Sequence, residues 1–261
     1  MRFFICSNED EVSYRLSAYL KEKLTSSKKY EFCEENPNIV ISIGGDGRFL
    51  RTIRKYINQL NSVAFVGLAT GKLGFLCEYR HDEVDDLINS MLTSAPHYIS
   101  HRMVEVKMGN YHDYFLNEVR VERVFHTFIC NVKINDIALE KFRGNGLNFS
   151  SSIGSTAYNR SLGGPLINSR IPVLIMGEVA SINHNSYRNL NSFLVLQDYD
   201  KVTLTGDFEG CIIGGDNVFK KIDASLKNKE INIMLSSKSA IFAVYRNSNY
   251  YCKLKNSFIL D

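Results

Sequence analysis

In the first third of the chain, short apolar runs alternate with stretches where apolar residues recur every three or four positions. Residues 2–6 read as a buried strand. Asn8 and Glu11 have the spacing of a capping box, and Val12, Leu16, Leu20 and Leu24 then share one helical face. The β-branched run 39–43 predicts a central strand leading straight into Gly44, Gly45, Asp46 and Gly47, after which Phe49, Ile53 and Ile57 return to helical spacing. Residues 62–66 predict another strand and 67–74 a glycine-marked loop. Val84, Leu87, Ile88 and Met91 form a further helix face, with Asp82 as its cap. Such alternation implies a parallel sheet covered by helices.

Beyond Ala95 and Pro96 the texture changes to that of strands. Residues 104–108, 115–121, 128–134, 202–205, 231–235 and 240–245 are short apolar stretches divided by Gly, Asn, Asp and Ser. They predict an antiparallel, sandwich-like domain interrupted by one helix over 154–162. The fold class is therefore α/β plus all-β. An α/β domain over 1–95 carries the parallel sheet and the GGDG loop, a β-rich domain follows over 96–254, and a tail over 255–261 is expected to return to the first domain.

Composition narrows the function classes. With 261 residues, 44% hydrophobic and 23% charged, the chain is long enough to bury a substantial core, which excludes disorder. No apolar run approaches the roughly 18 residues of a membrane-spanning helix, and the opening run ends at once in Ser7, Asn8, Glu9 and Asp10. Neither signal peptide nor anchor is expected. Thirty-one Lys and Arg against 28 Asp and Glu give +3, spread without blocks, so neither nucleic acid nor membrane is an expected partner, whereas a small phosphate-bearing ligand fits. Six cysteines lie far apart with no CxxC spacing, as reduced thiols do in a cytoplasmic protein.

Three segments carry candidate chemistry. A strand that ends in Gly-Gly-Asp-Gly and starts a helix puts backbone amides and one carboxylate at the carboxyl end of a parallel sheet, where open α/β folds bind ligands. Glycines let amides approach a phosphate, and the helix N-terminus adds partial positive charge. The same four residues also suit a plain capped turn. Arg48, in the first helical turn, either points to solvent or reaches a donor phosphate. The second segment is Asn117-Glu118: an Asn side chain matches an adenine edge and a carboxylate accepts from ribose hydroxyls. The pair serves one ligand only where the strand ends or bulges, because adjacent strand residues face opposite ways. The third runs from Arg143-Gly144-Asn145-Gly146 through Ser150–152 to 154–165, where small hydroxyl residues open a helix and Tyr158 offers a flat surface with a polar tip. An ordinary capped helix fits that composition equally well.

Other motifs fail on inspection. Leu50 stands where GxGxxG needs its third glycine after Gly45 and Gly47, and Gly71-Lys72 follows Gly67 at the wrong distance for a P-loop. His97 and His101 lack a third zinc ligand nearby, and no GxSxG elbow surrounds any serine.

In this order the segments resemble the NAD kinase family in its short bacterial form, over nearly the whole chain. The resemblance rests on residues 41–50, 70–76, 117–118, 142–146, 154–165 and 180–183. It implies phosphoryl transfer from ATP, another nucleoside triphosphate or polyphosphate to the 2′-hydroxyl of the adenosine ribose of NAD, giving NADP, with Mg2+, in a cytoplasmic homodimer or homotetramer. By position it makes Asp46 the catalytic carboxylate. Gly47, Phe75, Asn117, Glu118, Arg143, Asn145, Thr156, Ala157, Tyr158, Ser161 and Ala180 become NAD contacts, some supplied by a neighbouring subunit. Gly44, Gly45 and Arg48 fall to the phosphate donor. The chain departs from the family at Arg48, at Asn145 in place of an acid, at Ser151-Ser152 in place of Thr-Pro, and at Ile213-Gly214-Gly215, where the usual Asp is displaced to Asp216. The rival readings are a diacylglycerol- or sphingoid-type lipid kinase, suggested by GGDG alone, and a catalytically impaired NAD-binding or sensing protein, suggested by the departures.

Overall fold

A computed structural model describes residues 1–246 and 249–259. The chain forms two compact units: residues 1–100 together with those from Ser239 onward, and His101–Lys238. In chain order the elements are β1 (Arg2–Ser7), α1 (Glu11–Ser26), β2 (Glu31–Phe32), β3 (Ile39–Ile43), α2 (Asp46–Lys55), β4 (Ala64–Ala69), β5 (Tyr79–Arg80) and α3 (Val84–Thr93). They continue as β6 (His97–Met108), β7 (Tyr111–Phe115), β8 (Glu118–Glu122), β9 (Phe128–Ile134), β10 (Ile137–Gly144), β11 (Gly146–Ser151), the one-turn α4 (Tyr158–Ser161) and β12 (Leu174–Val179). The last are β13 (Leu194–Leu196), β14 (Lys201–Thr205), β15 (Ile212–Gly215), β16 (Val218–Lys221), β17 (Ile231–Val244) and α5 (Tyr250–Phe258).

In the first unit β2, β1, β3 and β4 lie side by side and parallel, and Ile241 and Phe242 of β17 add to β4 in the same sense. All five residues of β3 are buried, as a strand covered on both faces requires. Ile39, Ile41 and Ile43 turn to Leu20 and Leu24 of α1 and to Leu87, Ile88 and Met91 of α3. Val40 and Ser42 alternate to the other face. There the Ser42 hydroxyl meets that of Thr52 at 3.0 Å, and Phe49 packs on Phe65 and Phe242, so α2 is fastened directly behind the strand it follows.

Several local expectations are corrected. Asp10, not an Asn8–Glu11 box, caps α1 by accepting the Ser13 amide and hydroxyl. The strand read at 62–66 runs from Ala64 to Ala69, because small Gly67 sits inside it under Cys77 and Phe49. Asp82 does not cap α3. It pairs with the Arg80 side chain inside a short 3-10 turn, where Glu83 accepts the Arg80 amide. Residues 260–261 of the expected tail lie outside the described residues; its described part continues α5, which belongs to the first unit.

The second unit has two antiparallel sheets, β10-β9-β14-β17 with β6 and β7 attached, and β13-β12-β11-β8-β15-β16. Alternate residues of both sheets form its core, among them Val119, Val121, Phe128, Val132, Leu147, Phe149, Val202, Leu204, Ile231 and Ile233. The strand expected over 115–121 is two strands, parted at Leu116 and Asn117, whose amides go to the Asp216 carboxylate instead of to a ladder. The stretches 231–235 and 240–245 are one strand, since the polar residues between them continue extended rather than turning. The helix expected over 154–162 is a 3-10 turn (Ile153–Thr156) and then α4, broken at Ala157 with φ −94 and ψ −129.

Candidate active site

In the first unit, the turn after β3 is built by close approach. Gly44 has φ +146, and a Cβ there would lie 2.8 Å from Arg48 Cβ. Its amide is already donated to Leu68 O at 3.0 Å, so Gly44 shapes the turn and has no amide left for a phosphate. Gly45 caps α2 with open space beside it, and Asp46 and Gly47 begin the helix half-buried. The Asp46 carboxylate is doubly held: Oδ2 accepts from the Phe75 amide at 2.8 Å and Oδ1 from the Leu76 amide at 3.1 Å. Gly74 makes that approach feasible, since a Cβ there would stand 2.3 Å from the carboxylate oxygens. Arg48 neither points freely to solvent nor waits unpaired. Its Nε donates to Asn8 Oδ1 at 2.9 Å, which leaves the other guanidinium nitrogens to meet an anion.

In the second unit, Asn117 and Glu118 stand where the strand breaks, which answers the objection that neighbours on a strand face apart. The Asn117 carbonyl accepts from the Ser151 amide at 2.9 Å and from the hydroxyls of Ser150 and Ser151 at 3.2 and 3.3 Å. Ser151 Oγ also donates to Leu116 O at 2.5 Å. Gly154 presses on the same carbonyl, where a Cβ would come within 2.0 Å. Thr156, Ala157 and Tyr158 therefore follow directly on the Asn117 turn, and the Arg120 guanidinium lies over the Tyr158 ring at 4.3 Å. Glu118 is buried, and its Oε2 has no hydrogen-bond partner among the described residues. Burial, reinforced by the Asp216 charge, pushes its carboxyl up to about 7, while Arg120 and the Tyr158 amide pull the other way.

The remaining predicted contacts gather elsewhere in that unit. On β11, Ser150 lies opposite Glu118 while Gly146 lies opposite Glu122, so these two positions are about 13 Å apart at a strand's rise. Asn145, exposed, bonds Val179 O beside the Gly146 end, and Arg143 of the preceding strand carries Tyr187 on its guanidinium at 4.0 Å. Ala180 adjoins Gly144 and takes φ +46. Ser161, on α4, is exposed. Arg143, Asn145 and Ala180 thus form a cluster separate from Asn117, Glu118, Thr156, Ala157 and Tyr158.

Sequence reading missed three supporting residues. Gly74 was seen only as a loop glycine. Ser151 was noted as a departure, yet its hydroxyl ties down the Asn117 turn. Asp216, read as a displaced acid, is placed by the two-residue Asp216-Asn217 turn, both residues at positive φ, that joins β15 to β16. A Gly-Asp-Asn between two strand-like runs was the signal that could have found it.

Known proteins match the chain over nearly its whole length. Residues 6–95 match the family pattern described as the ATP-NAD kinase N-terminal domain, and residues 116–245 the ATP-NAD kinase C-terminal domain. The chain is 33% identical over 267 residues to the NAD kinase of Limosilactobacillus reuteri, covering 99% of this chain and 98% of that one. It is 38% identical over 210 residues to the NAD kinase of Streptococcus pneumoniae, covering 78% and 76%. A crystal structure of yeast NADH kinase complexed with NADH matches with TM-score 0.80 at 16% identity, over 99% of this chain and 87% of that one. An NAD kinase from Archaeoglobus fulgidus in complex with ATP matches with 0.77 at 20%, over 98% and 99%. At those identities the structural likeness shows the fold alone.

The chain carries in order the N-terminal and the C-terminal domain patterns of a kinase of the ATP-NAD type. The chain belongs to the NAD kinase family, enzymes that phosphorylate NAD. The lipid-kinase alternative finds no support among these relatives.

Proposed function

We propose that Asp46 is the residue that presents the 2′-hydroxyl of the adenosine ribose of NAD for in-line attack on a phosphoryl donor, giving NADP. The observation that carries this reading is the double amide grip on its carboxylate, which fixes the direction of the remaining lone pairs. Phosphoryl transfer asks the protein chiefly for positioning and charge neutralisation, so a fixed acceptor for the hydroxyl proton suits it. Asn117 with Thr156 and Ala157 is the adenine subsite, and the unpartnered Glu118 Oε2 is an acceptor for a ribose hydroxyl. Gly47 and Phe75 of the first unit, and Tyr158 and Ser161 of the second, are the further NAD contacts this reading assigns.

The donor side rests on Gly45 and Arg48. ATP is the donor we favour, since both family patterns are of ATP-NAD kinases and the archaeal neighbour is a complex with ATP. Polyphosphate is the alternative the assay separates. Among the described residues no group of three or more His, Cys, Asp or Glu stands ready for a metal ion. Mg2+ would enter on the donor's phosphates and neutralise charge on the moving group. The separate cluster of Arg143, Asn145 and Ala180 suits an NAD bound by a neighbouring subunit, hence a homodimer or homotetramer. Six unpaired cysteines suit the cytoplasm.

Incubating the purified protein with NAD, Mg2+ and either ATP or polyphosphate, with NADP read by an NADP-specific dehydrogenase, tests the reading. NADP formation that falls by about two to four orders of magnitude in Asp46→Asn supports it. Calorimetric NAD binding with no NADP from any donor would leave an NAD-binding or sensing protein instead.

A further inference from the structure

Residues 74–78 hold Asp46, and α5 holds residues 74–78. Lys253 Nζ donates to Phe75 O and Cys77 O, each at 3.2 Å, and to Glu78 Oε1 at 2.6 Å. The side chains of Lys253 and Glu78 are only 15% and 8% exposed, so the ammonium is largely out of water and depends on these partners. Further along α5, the Phe258 ring stacks on Phe75 with centroids 5.1 Å apart.

A trans peptide is planar and carries its C=O and the following N–H on opposite edges. The Phe75 carbonyl and the Leu76 amide belong to one such plane. Lys253 grips its carbonyl edge, while Asp46 Oδ1 accepts from its amide edge at 3.1 Å. Any rotation that freed the carbonyl from the ammonium would swing the amide off the carboxylate. The ammonium also polarises the peptide it touches, which strengthens the bond on the far side.

Resting on the reading of Asp46 given above, we infer that Lys253 is a positioning residue for phosphoryl transfer, acting from α5 through the 75–76 peptide to fix the bearing of the Asp46 carboxylate. Glu78 holds the ammonium in place for that task. The carboxyl-terminal helix is thereby part of the machinery that aims the reaction.

Steady-state kinetics of Lys253→Met, Lys253→Arg and Asp46→Asn in the full chain test this. Lys253→Met is expected to lower kcat by about tenfold or more, with KM for NAD and for ATP within about twofold, because a misaimed group slows chemistry without removing binding. Lys253→Arg, whose fork still spans the carbonyls, recovers most of kcat. A purely structural role would lower the melting temperature without that split. Full kcat in Lys253→Met overturns the inference, as does a kcat that merely follows thermal stability across the set. Should the methionine variant not fold, Lys253→Gln is read by the same criteria. A Lys253→Arg that also failed to fold would overturn the inference by making the contact purely structural. An active Asp46→Asn would sink the underlying reading instead, whereas an inactive Asp46→Asn beside an unimpaired Lys253→Met sinks only the role of Lys253.

Discussion

Asp216 Oδ1 accepts the Asn117 amide at 3.0 Å across 99 residues of chain, and its other oxygen takes the Leu116 amide. Buried carboxylates that satisfy two backbone donors are expensive to remove, because each orphaned amide costs about 1–3 kcal/mol. Asp216→Ala is therefore expected to destabilise the second unit by about 2–4 kcal/mol, read by urea unfolding, and to weaken NAD binding in the fraction that remains folded. Unchanged unfolding would remove Asp216 from its supporting role.

Gly74→Ala places a methyl group on the Asp46 oxygens, at 2.3 Å. The carboxylate must leave its two amides or the loop must move. Activity is expected to fall by about a hundredfold while NAD binding changes little, since a displacement of about 1 Å suffices for that loss. Gly71→Ala, with nothing near its Cβ, is the matched control and keeps its activity.

Glu118 gives a pH signature. Its folded carboxyl titrates at about 7, against about 4.3 in an unfolded chain, so the folded state retains a proton that the unfolded state has lost. Its contribution to stability is present below the unfolded value and is lost as pH rises through that window to about 7. The ionised form is the better acceptor for a hydroxyl, so NAD affinity moves the other way and strengthens from about pH 6 to about pH 8. Glu118→Gln is expected to flatten both trends, the first in melting temperature against pH and the second in calorimetry.

The separation along β11 of the two clusters proposed to meet NAD makes a complementation prediction. Asn117→Ala and Arg143→Ala disable different clusters, so each homo-oligomer is inactive. Mixed after unfolding and refolding together, they form hybrids in which one site has both clusters intact, and about a quarter of the parental activity returns if the assembly is a dimer. No recovery in a verified hybrid would place both clusters in one subunit's site.

Regular alternation was readable. The run 39–43 announced β3 because a strand covered on both faces is apolar throughout, and the spacing of Leu16, Leu20 and Leu24 announced α1. The Asp46, Asn117-Glu118 and Gly154 to Tyr158 segments were also legible, as residue types gathered at the ends of elements. What escaped depends on distant partners. Asn8 looked like a cap but is drawn to Arg48 across forty residues. The 154–162 stretch has helical composition, yet Gly154 is clamped against Asn117, and Asn159 spends its side-chain amide on Ser155 O and Pro165 O, so the helix cannot run through Ala157. Polar residues 236–239 resembled a turn, yet β17 continues through them.

The strand that completes the parallel sheet beside β4 is supplied by Ile241 and Phe242. During synthesis, β5 soon covers β4 at Leu68 and Ala69, but the Ala64–Phe65 part of that edge stays open until the distant stretch is translated. At about 5–20 residues per second this leaves an unpaired edge for roughly ten seconds or more. Chaperones that shield nascent strand edges should therefore engage this chain early, and ribosome-bound fragments ending before β17 should be degraded faster than the finished protein.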